Sequence, residues 1–229
     1  MDKRKEIILN TIIKEYLKTG APVGSGVLVE KYKLDISPAT VRSEMAILED
    51  EEYIKQPHTS AGRVPTEKAY KLFVRNLKKT RLGKTDESSL AEALKNKDEL
   101  AFKEVAKLVS NLSGSAVFWA FHRHNLYYTG ISNLFQQPEF SQIEMVYDIS
   151  TVIDSLDEII DSIFDKIGFE VKTLIGSDNP FGGFCGTLIS RYHYQGKVGL
   201  FGIIGPMRMD YEKNLAIMRF LTDSLSGNT

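Results

Sequence analysis

Ser37-Pro38-Ala39-Thr40-Val41-Arg42-Ser43-Glu44-Met45, followed by Gln56-Pro57-His58-Thr59-Ser60-Ala61-Gly62-Arg63-Val64-Pro65-Thr66, decides how this chain is read. Serine at an N-cap and proline at the first helical position form a strong helix start. Val41, Met45 and Leu48 then recur at i, i+4 and i+7 and predict its buried stripe. Ala39, Thr40 and Ser43 fall off that stripe. Their small side chains would let the helix sit deep in a major groove, where helix N-terminal residues reach base edges. Arg42 can contact a phosphate or donate two hydrogen bonds to a guanine. The second stretch predicts a short strand, a loop and a return strand. Such a wing offers the Thr59 and Ser60 hydroxyls, the Gly62 backbone and the Arg63 guanidinium to phosphates or a minor groove. His58 in that loop is either a contact residue or a packing residue at the wing base.

The flanks fit the same picture. Leu9, Ile12, Ile13, Tyr16 and Leu17 predict a first helix stopped by Gly20 and Pro22. Ser25 reads as the N-cap of a second, short helix ending near Leu34-Asp35. Thr66 caps a fourth, with Tyr70, Phe73, Val74 and Leu77 inside and Lys68, Lys71, Arg75, Lys78 and Lys79 on the other face. Residues 1–80 therefore read as a winged helix-turn-helix, a DNA-binding domain.

Residues 81–98 are polar and read as a linker with at most a short helix. Residues 99–229 predict a helix at 99–112, strands at 116–121, 126–131 and 144–147, and an amphipathic helix at 152–167. Strands at 171–176, 185–194 and 197–204 follow, the last two joined by a Tyr194-Gln195-Gly196 turn, and a final helix spans roughly 210–225. The fold class is α+β: a winged helix-turn-helix, then an antiparallel sheet domain with flanking helices.

Composition sets the bounds. The 229 residues are 42% hydrophobic and 26% charged, as in ordinary globular chains. No apolar run approaches the ~20 residues that span a bilayer. The charged N-terminus lacks a secretory signal. One cysteine excludes an intramolecular disulfide framework, and a cytoplasmic protein is expected. The net charge of −1 hides a split: residues 1–84 carry 17 Lys+Arg against 11 Asp+Glu, and residues 85–229 carry 12 against 19. Such asymmetry points to a polyanion as partner of the first half.

No set of residues converges on enzymatic chemistry. Cys185 lies in a glycine-rich strand approach and reads as a structural, half-buried thiol. His122 and His124 read as a surface turn; with His193 they fall short of a metal set. Gly199, Gly202 and Gly205 lack the spacing of a dinucleotide fingerprint and read as close-packing positions in a strand. Asp154, Asp157, Glu158, Asp161 and Asp165 read as a solvated helix face. Neither a cofactor nor a metal is expected.

These motifs carry a resemblance. The run 21–25, Ser37–Met45, Leu48-Glu49 and the nearly unbroken 56–66 resemble the DNA-binding domain of the heat-inducible transcription repressor HrcA family. Gly130-Ile131-Ser132-Asn133-Leu134-Phe135, Gln137-Pro138-Glu139-Phe140, Ile175-Gly176-Ser177-Asp178-Asn179 and the run 202–211 resemble the family's GAF-like domain. The resemblance covers about 1–79 and 100–225. It implies a homodimeric repressor of chaperone genes that binds an inverted repeat, the CIRCE element, upstream of the groE and dnaK operons. It further implies that the GroEL chaperonin modulates activity, and that the protein associates with the bacterial nucleoid when bound to its operator.

There are departures from the family pattern. Family members carry a large extra stretch between the strand at 116–121 and the segment at 126–140. It holds part of the GAF-like sheet and an inserted dimerising domain, so this domain is expected to be reduced. The dimer would then use other surface, the helix at 100–112 or a sheet face. Ser43 stands where the family usually has Asn, and Gly26 where Lys is common. The candidate DNA-binding residues are Ser37, Ala39, Thr40, Arg42, Ser43, His58, Thr59, Ser60, Gly62, Arg63, Lys68, Lys71 and Arg75. Two other functions compete: a small-ligand-responsive regulator with a pocket lined by Phe118, Trp119 and Tyr128, and an interaction module without DNA binding.

Overall fold

The computed structural model describes residues 1–33, 36–141, 143–194 and 196–226. The chain divides into two compact units, Met1–Leu77 and Lys78–Thr229. The expected end of the second helix at Leu34-Asp35 and Gln195 of the 194–196 turn lie outside the described residues.

The first unit contains α1 (Lys3–Thr19), α2 (Ser25–Tyr32), α3 (Pro38–Asp50), β1 (Ile54–Lys55), β2 (Val64–Pro65) and α4 (Glu67–Asn76). Local chemistry sets most of these boundaries. The Asp2 carboxylate accepts from the Lys5 N–H (2.9 Å), and Gly20 closes α1 in the left-handed region at φ 65°. Ser37 and Thr66 cap α3 and α4 as expected. Ser25 is not a cap: Gly24 holds that place in extended backbone, with no side-chain bond, and Ser25 is the first helical residue. Ile8, Leu9, Ile12, Ile13, Leu28, Val41, Met45, Leu48, Ile54, Tyr70 and Phe73 form the core. Glu15 is buried among them, 5% exposed. Its carboxylate accepts from Lys31 Nζ (2.6 Å) and from the Tyr32 hydroxyl (2.7 Å), tying α1 to α2. These donors hold Glu15 below the usual carboxylate range, and burial together with Glu15 pushes Tyr32 up to about 12.

The second unit is mixed α+β around a five-stranded antiparallel sheet ordered β4-β3-β7-β6-β5. The strands are β3 (Ala116–His122), β4 (Asn125–Thr129), β5 (Lys172–Ile175), β6 (Cys185–Tyr194) and β7 (Lys197–Pro206). Helices α5 (Lys84–Ala93), α6 (Glu99–Ser113), α7 (Ile131–Phe135), α8 (Ile143–Asp154), α9 (Leu156–Ile163) and α10 (Tyr211–Ser226) surround it. Strand alternation divides β3 between two cores. Phe118 points with Ile189, Leu200 and Ile204 toward Ile149, Leu156 and Ile160 of α8 and α9. Trp119 points the other way, stacked between Phe102 of α6 and Phe201, each at 4.9 Å.

Several expectations change here. Residues 144–147 are not a strand but lie in α8. The short apolar run 143–147 suits either period, and the turns that follow continue it as a helix. The single helix expected over 152–167 breaks at Ser155 into α8 and α9. The second β-strand of the unit ends at Thr129, and Ile131 opens α7. The polar stretch 81–98 contains the ten-residue α5, whose Leu90 is buried.

The strand glycines do permit close packing. A Cβ on Gly202 would lie 2.6 Å from the Phe118 ring, and one on Gly199 2.4 Å from the Tyr192 ring. Cys185 is fully rather than half buried, and burial pushes its thiol up to about 12. His122 ends β3 and its Nδ1 accepts from the His124 N–H (3.2 Å) in the turn before β4. Asp154, Asp157, Glu158, Asp161 and Asp165 are all exposed, and Arg123 bridges Asp161 and Asp165.

Candidate nucleic-acid interface

The site grows from α3. The Ser37 hydroxyl accepts from the Thr40 N–H (3.1 Å) and lies 2.9 Å from the Thr40 hydroxyl. Thr40 is accordingly half-buried, part of the cap as well as of the helix face. Val41, Met45 and Leu48 turn inward as expected. The opposite face presents Ala39, Arg42, Ser43, Ala46 and Ile47, all exposed. Ser43 bends its hydroxyl back to the Ala39 carbonyl (3.3 Å), which keeps its profile small. Ala46 and Ile47, the latter 42% exposed, extend this face by a turn. The sequence reading left them out because neither side chain carries a hydrogen-bonding group that would mark it as a contact.

The β1–β2 hairpin, the expected wing, lies beside this helix. Ile54 pairs with Pro65 and Lys55 with Val64. Between the strands the chain reverses tightly: the His58 carbonyl accepts from the Ala61 N–H (3.0 Å), and Ser60 takes φ 67°. His58, Thr59 and Ser60 are exposed at the tip, so His58 is not packed at the wing base. The base is held from two sides. Val23 and Arg63 exchange both backbone hydrogen bonds (2.9 Å each), bringing the loop before α2 against the wing. A Cβ on Gly62 would meet the Val23 backbone at 2.5 Å, so the bridge requires glycine. From α3, one Glu49 oxygen accepts from Nε of Arg63 (2.8 Å) and lies 2.8 Å from Nη2 as an ion pair, and the other accepts from the Gln56 N–H (3.0 Å).

The basic residues of α4 divide by environment. Lys68 lies over the Tyr53 ring (4.7 Å) and donates to the Glu51 carbonyl (2.9 Å) at the end of α3. Lys71 pairs with Glu67 (2.7 Å). Arg75 is exposed at the rim of an open groove of about 680 Å³ that Tyr53 and Thr66 also line. The expected Phe118, Trp119 and Tyr128 pocket does not form. Phe118 and Trp119 lie on opposite sheet faces, and the space that Phe118 and Tyr128 share is about 10 Å³. Among the described residues no three His, Cys, Asp or Glu side chains converge on a metal position, and no helix is long and apolar enough to cross a membrane.

A family model described as the HrcA protein C terminal domain matches residues 42–215, from within α3 into α10. The chain belongs to the HrcA family. The heat-inducible transcription repressor HrcA of Carboxydothermus hydrogenoformans is 26% identical, covering 99% of this chain and 97% of that protein. That alignment runs over 333 residues against the 229 present here, so about a hundred of its positions have no counterpart in this chain. The HrcA repressor of Thermobifida fusca is 36% identical over 77% of this chain and 54% of its own length. That of Acidothermus cellulolyticus is 58% identical, over only 34% of this chain and 23% of its own. The crystal structure of a hypothetical protein shares the fold with a TM-score of 0.75 at 16% identity, covering 99% of this chain and 96% of that one.

Proposed function

We propose that this HrcA-family chain is a sequence-specific DNA-binding repressor of heat-shock chaperone operons. Residues 1–80 act as a winged helix-turn-helix, and the sheet unit as a reduced GAF-like regulatory and dimerising domain. The observation that carries the reading is the exposed small-residue face of α3 beside a wing latched to that same helix. A helix with such a face enters a major groove, and a wing at its flank reaches the adjoining backbone. Thr40, Arg42 and Ser43 read bases or neighbouring phosphates, with Ser37 and Ala39 at the helix start. His58, Thr59, Ser60, Gly62 and Arg63 anchor the wing on the duplex. Lys68, Lys71 and Arg75 add electrostatic attraction.

The operator is an inverted repeat of the CIRCE type upstream of groE and dnaK. Two-fold symmetry of that site calls for a homodimer. GroEL modulates the repressor, which resides in the cytoplasm and on the nucleoid when bound. The space between Phe118 and Tyr128 is too small to favour the small-ligand reading over this one.

A gel shift on the inverted repeat from the organism's own chaperone promoter, with and without chaperonin, tests the proposal. A specific shift over a scrambled duplex is expected, strengthened by chaperonin. Equal mobility on both duplexes in both conditions overturns it.

A further inference from the structure

Glu49 is an unexpected residue for its position. It sits in the last turn of α3, where the helix dipole disfavours a carboxylate. It also flanks a surface that, on the reading above, meets a polyanion. Yet its carboxylate accepts two hydrogen bonds, from Nε of Arg63 and from the Gln56 backbone N–H, and Nη2 of Arg63 adds an ion-pair contact at 2.8 Å. Gln56 in turn donates through Nε2 to the Ala61 carbonyl (3.0 Å), which closes the wing loop. Glu49 and Arg63 side chains are 32% and 22% exposed, so the pair is partly shielded from solvent.

We propose that Glu49 is a positioning residue for DNA readout: it fixes the wing to the recognition helix and orients the Arg63 guanidinium. This rests on the DNA-binding reading and deepens it. Nε is committed to Glu49 and Nη2 is held beside the same oxygen, so Arg63 presents the outer side of its fork to a phosphate at one angle. A pre-oriented cation discriminates among sites, because it rewards one placement of the backbone; a mobile one attracts any duplex. The negative charge of Glu49 also opposes non-specific adhesion.

The test is a mutant cycle on the full chain. Wild type, Glu49→Ala, Arg63→Ala and the double variant are titrated by fluorescence anisotropy against the inverted repeat and a scrambled duplex. Glu49→Ala is expected to lower the ratio of specific to scrambled affinity by about tenfold, with scrambled affinity unchanged or tighter. In the Arg63→Ala background the same substitution should change the ratio less than about twofold, because the group it orients is gone. Glu49→Gln, which keeps an acceptor for Gln56 but loses the charge, should fall between. Should Glu49→Ala unfold the first unit, Glu49→Gln carries the comparison.

Equal loss on both duplexes, or effects of Glu49 and Arg63 that multiply, would overturn the positioning role while leaving DNA binding intact. A wild-type chain that fails to discriminate the duplexes would overturn the DNA-binding reading itself, and this inference with it.

Discussion

The two units are held together differently. The sheet unit buries an aromatic stack on one face, where Trp119 sits between Phe102 and Phe201 with Tyr192 edge-on at 5.4 Å. The first unit has a smaller, mainly aliphatic core, and polar latches tie its elements: Glu15 to Lys31 and Tyr32, Glu49 to Arg63, Val23 to Arg63. Apolar burial is non-directional, whereas a latch specifies an angle. On the proposed reading the first unit presents a helix and a hairpin in register, which calls for angles, whereas a scaffold calls for volume.

That contrast breaks most readily where the most aromatic surface is buried. Trp119→Ala removes a fully buried ring and both of its stacking contacts. It should destabilise the sheet unit by about 3–5 kcal/mol. Chemical denaturation followed by tyrosine fluorescence should show only the transition of the sheet unit shift. A shift of both by the same amount would mean that the units do not unfold separately.

Gly62→Ala applies the same logic to a latch. The new methyl meets the Val23 backbone rather than a flexible side chain, so the bridge itself must move. A loss of about 1–3 kcal/mol is expected, confined to the first unit. Gly24→Ala, where a Cβ meets nothing within 4 Å, is the control and should cost less than about 1 kcal/mol, the part due to losing glycine at the N-cap of α2. Equal effects of the two would show that the wing bridge contributes nothing to stability.

Glu15 gives the latch contrast a pH signature. Its folded pKa lies below the ordinary value of 4.5 because Lys31 and Tyr32 donate to it. The stability it contributes is therefore fully present above about pH 4.5 and is lost as pH falls through the lower folded pKa. Lys31 is half exposed and screened, so Glu15→Gln should cost about 1–2 kcal/mol at neutral pH and flatten the acid limb. Denaturation midpoints at about pH 7 and about pH 3 check this: the gap between wild type and variant must narrow at the lower pH.

Legibility in the sequence followed the range of the interaction. The Ser37-Pro38 start, the Thr66 cap and the buried triplet Val41, Met45 and Leu48 depend on neighbours within two turns, and all could be read directly. The exposed α3 face could be read for the same reason, apart from Ala46 and Ile47. Glu49 and Arg63 are fourteen residues apart and meet only once the wing folds back, so no spacing announces them. Glu15 occupies a position that a polar residue normally marks as solvent-facing; only the approach of Lys31 and Tyr32 offsets the cost of burying it. The strand expected at 144–147 failed for another reason. Ile143, Val146 and Tyr147 are exposed on α8 and, within 143–147, only Met145 packs against the core, so most of the apolar pattern there does not report burial.

The smallest expected effect concerns charge. The surplus of six positive charges in residues 1–84 is not spread over the first unit: Met1–Leu77 carries 13 Lys+Arg against 11 Asp+Glu, and Lys78, Lys79, Arg81 and Lys84 supply the rest. Within α4, Lys71 is paired with Glu67 while Arg75 is exposed at the groove rim. A cation already compensated by a carboxylate releases fewer counterions from DNA than a solvated one. Arg75→Ala should therefore reduce the slope of log K against log salt by about 0.9, and Lys71→Ala by clearly less. Affinity should change only a few-fold at physiological salt, on operator and scrambled duplex alike. Equal slopes for the two variants would mean that the Glu67 pair opens on binding, so that the polar surface of the first unit, unlike its core latches, rearranges to meet the duplex.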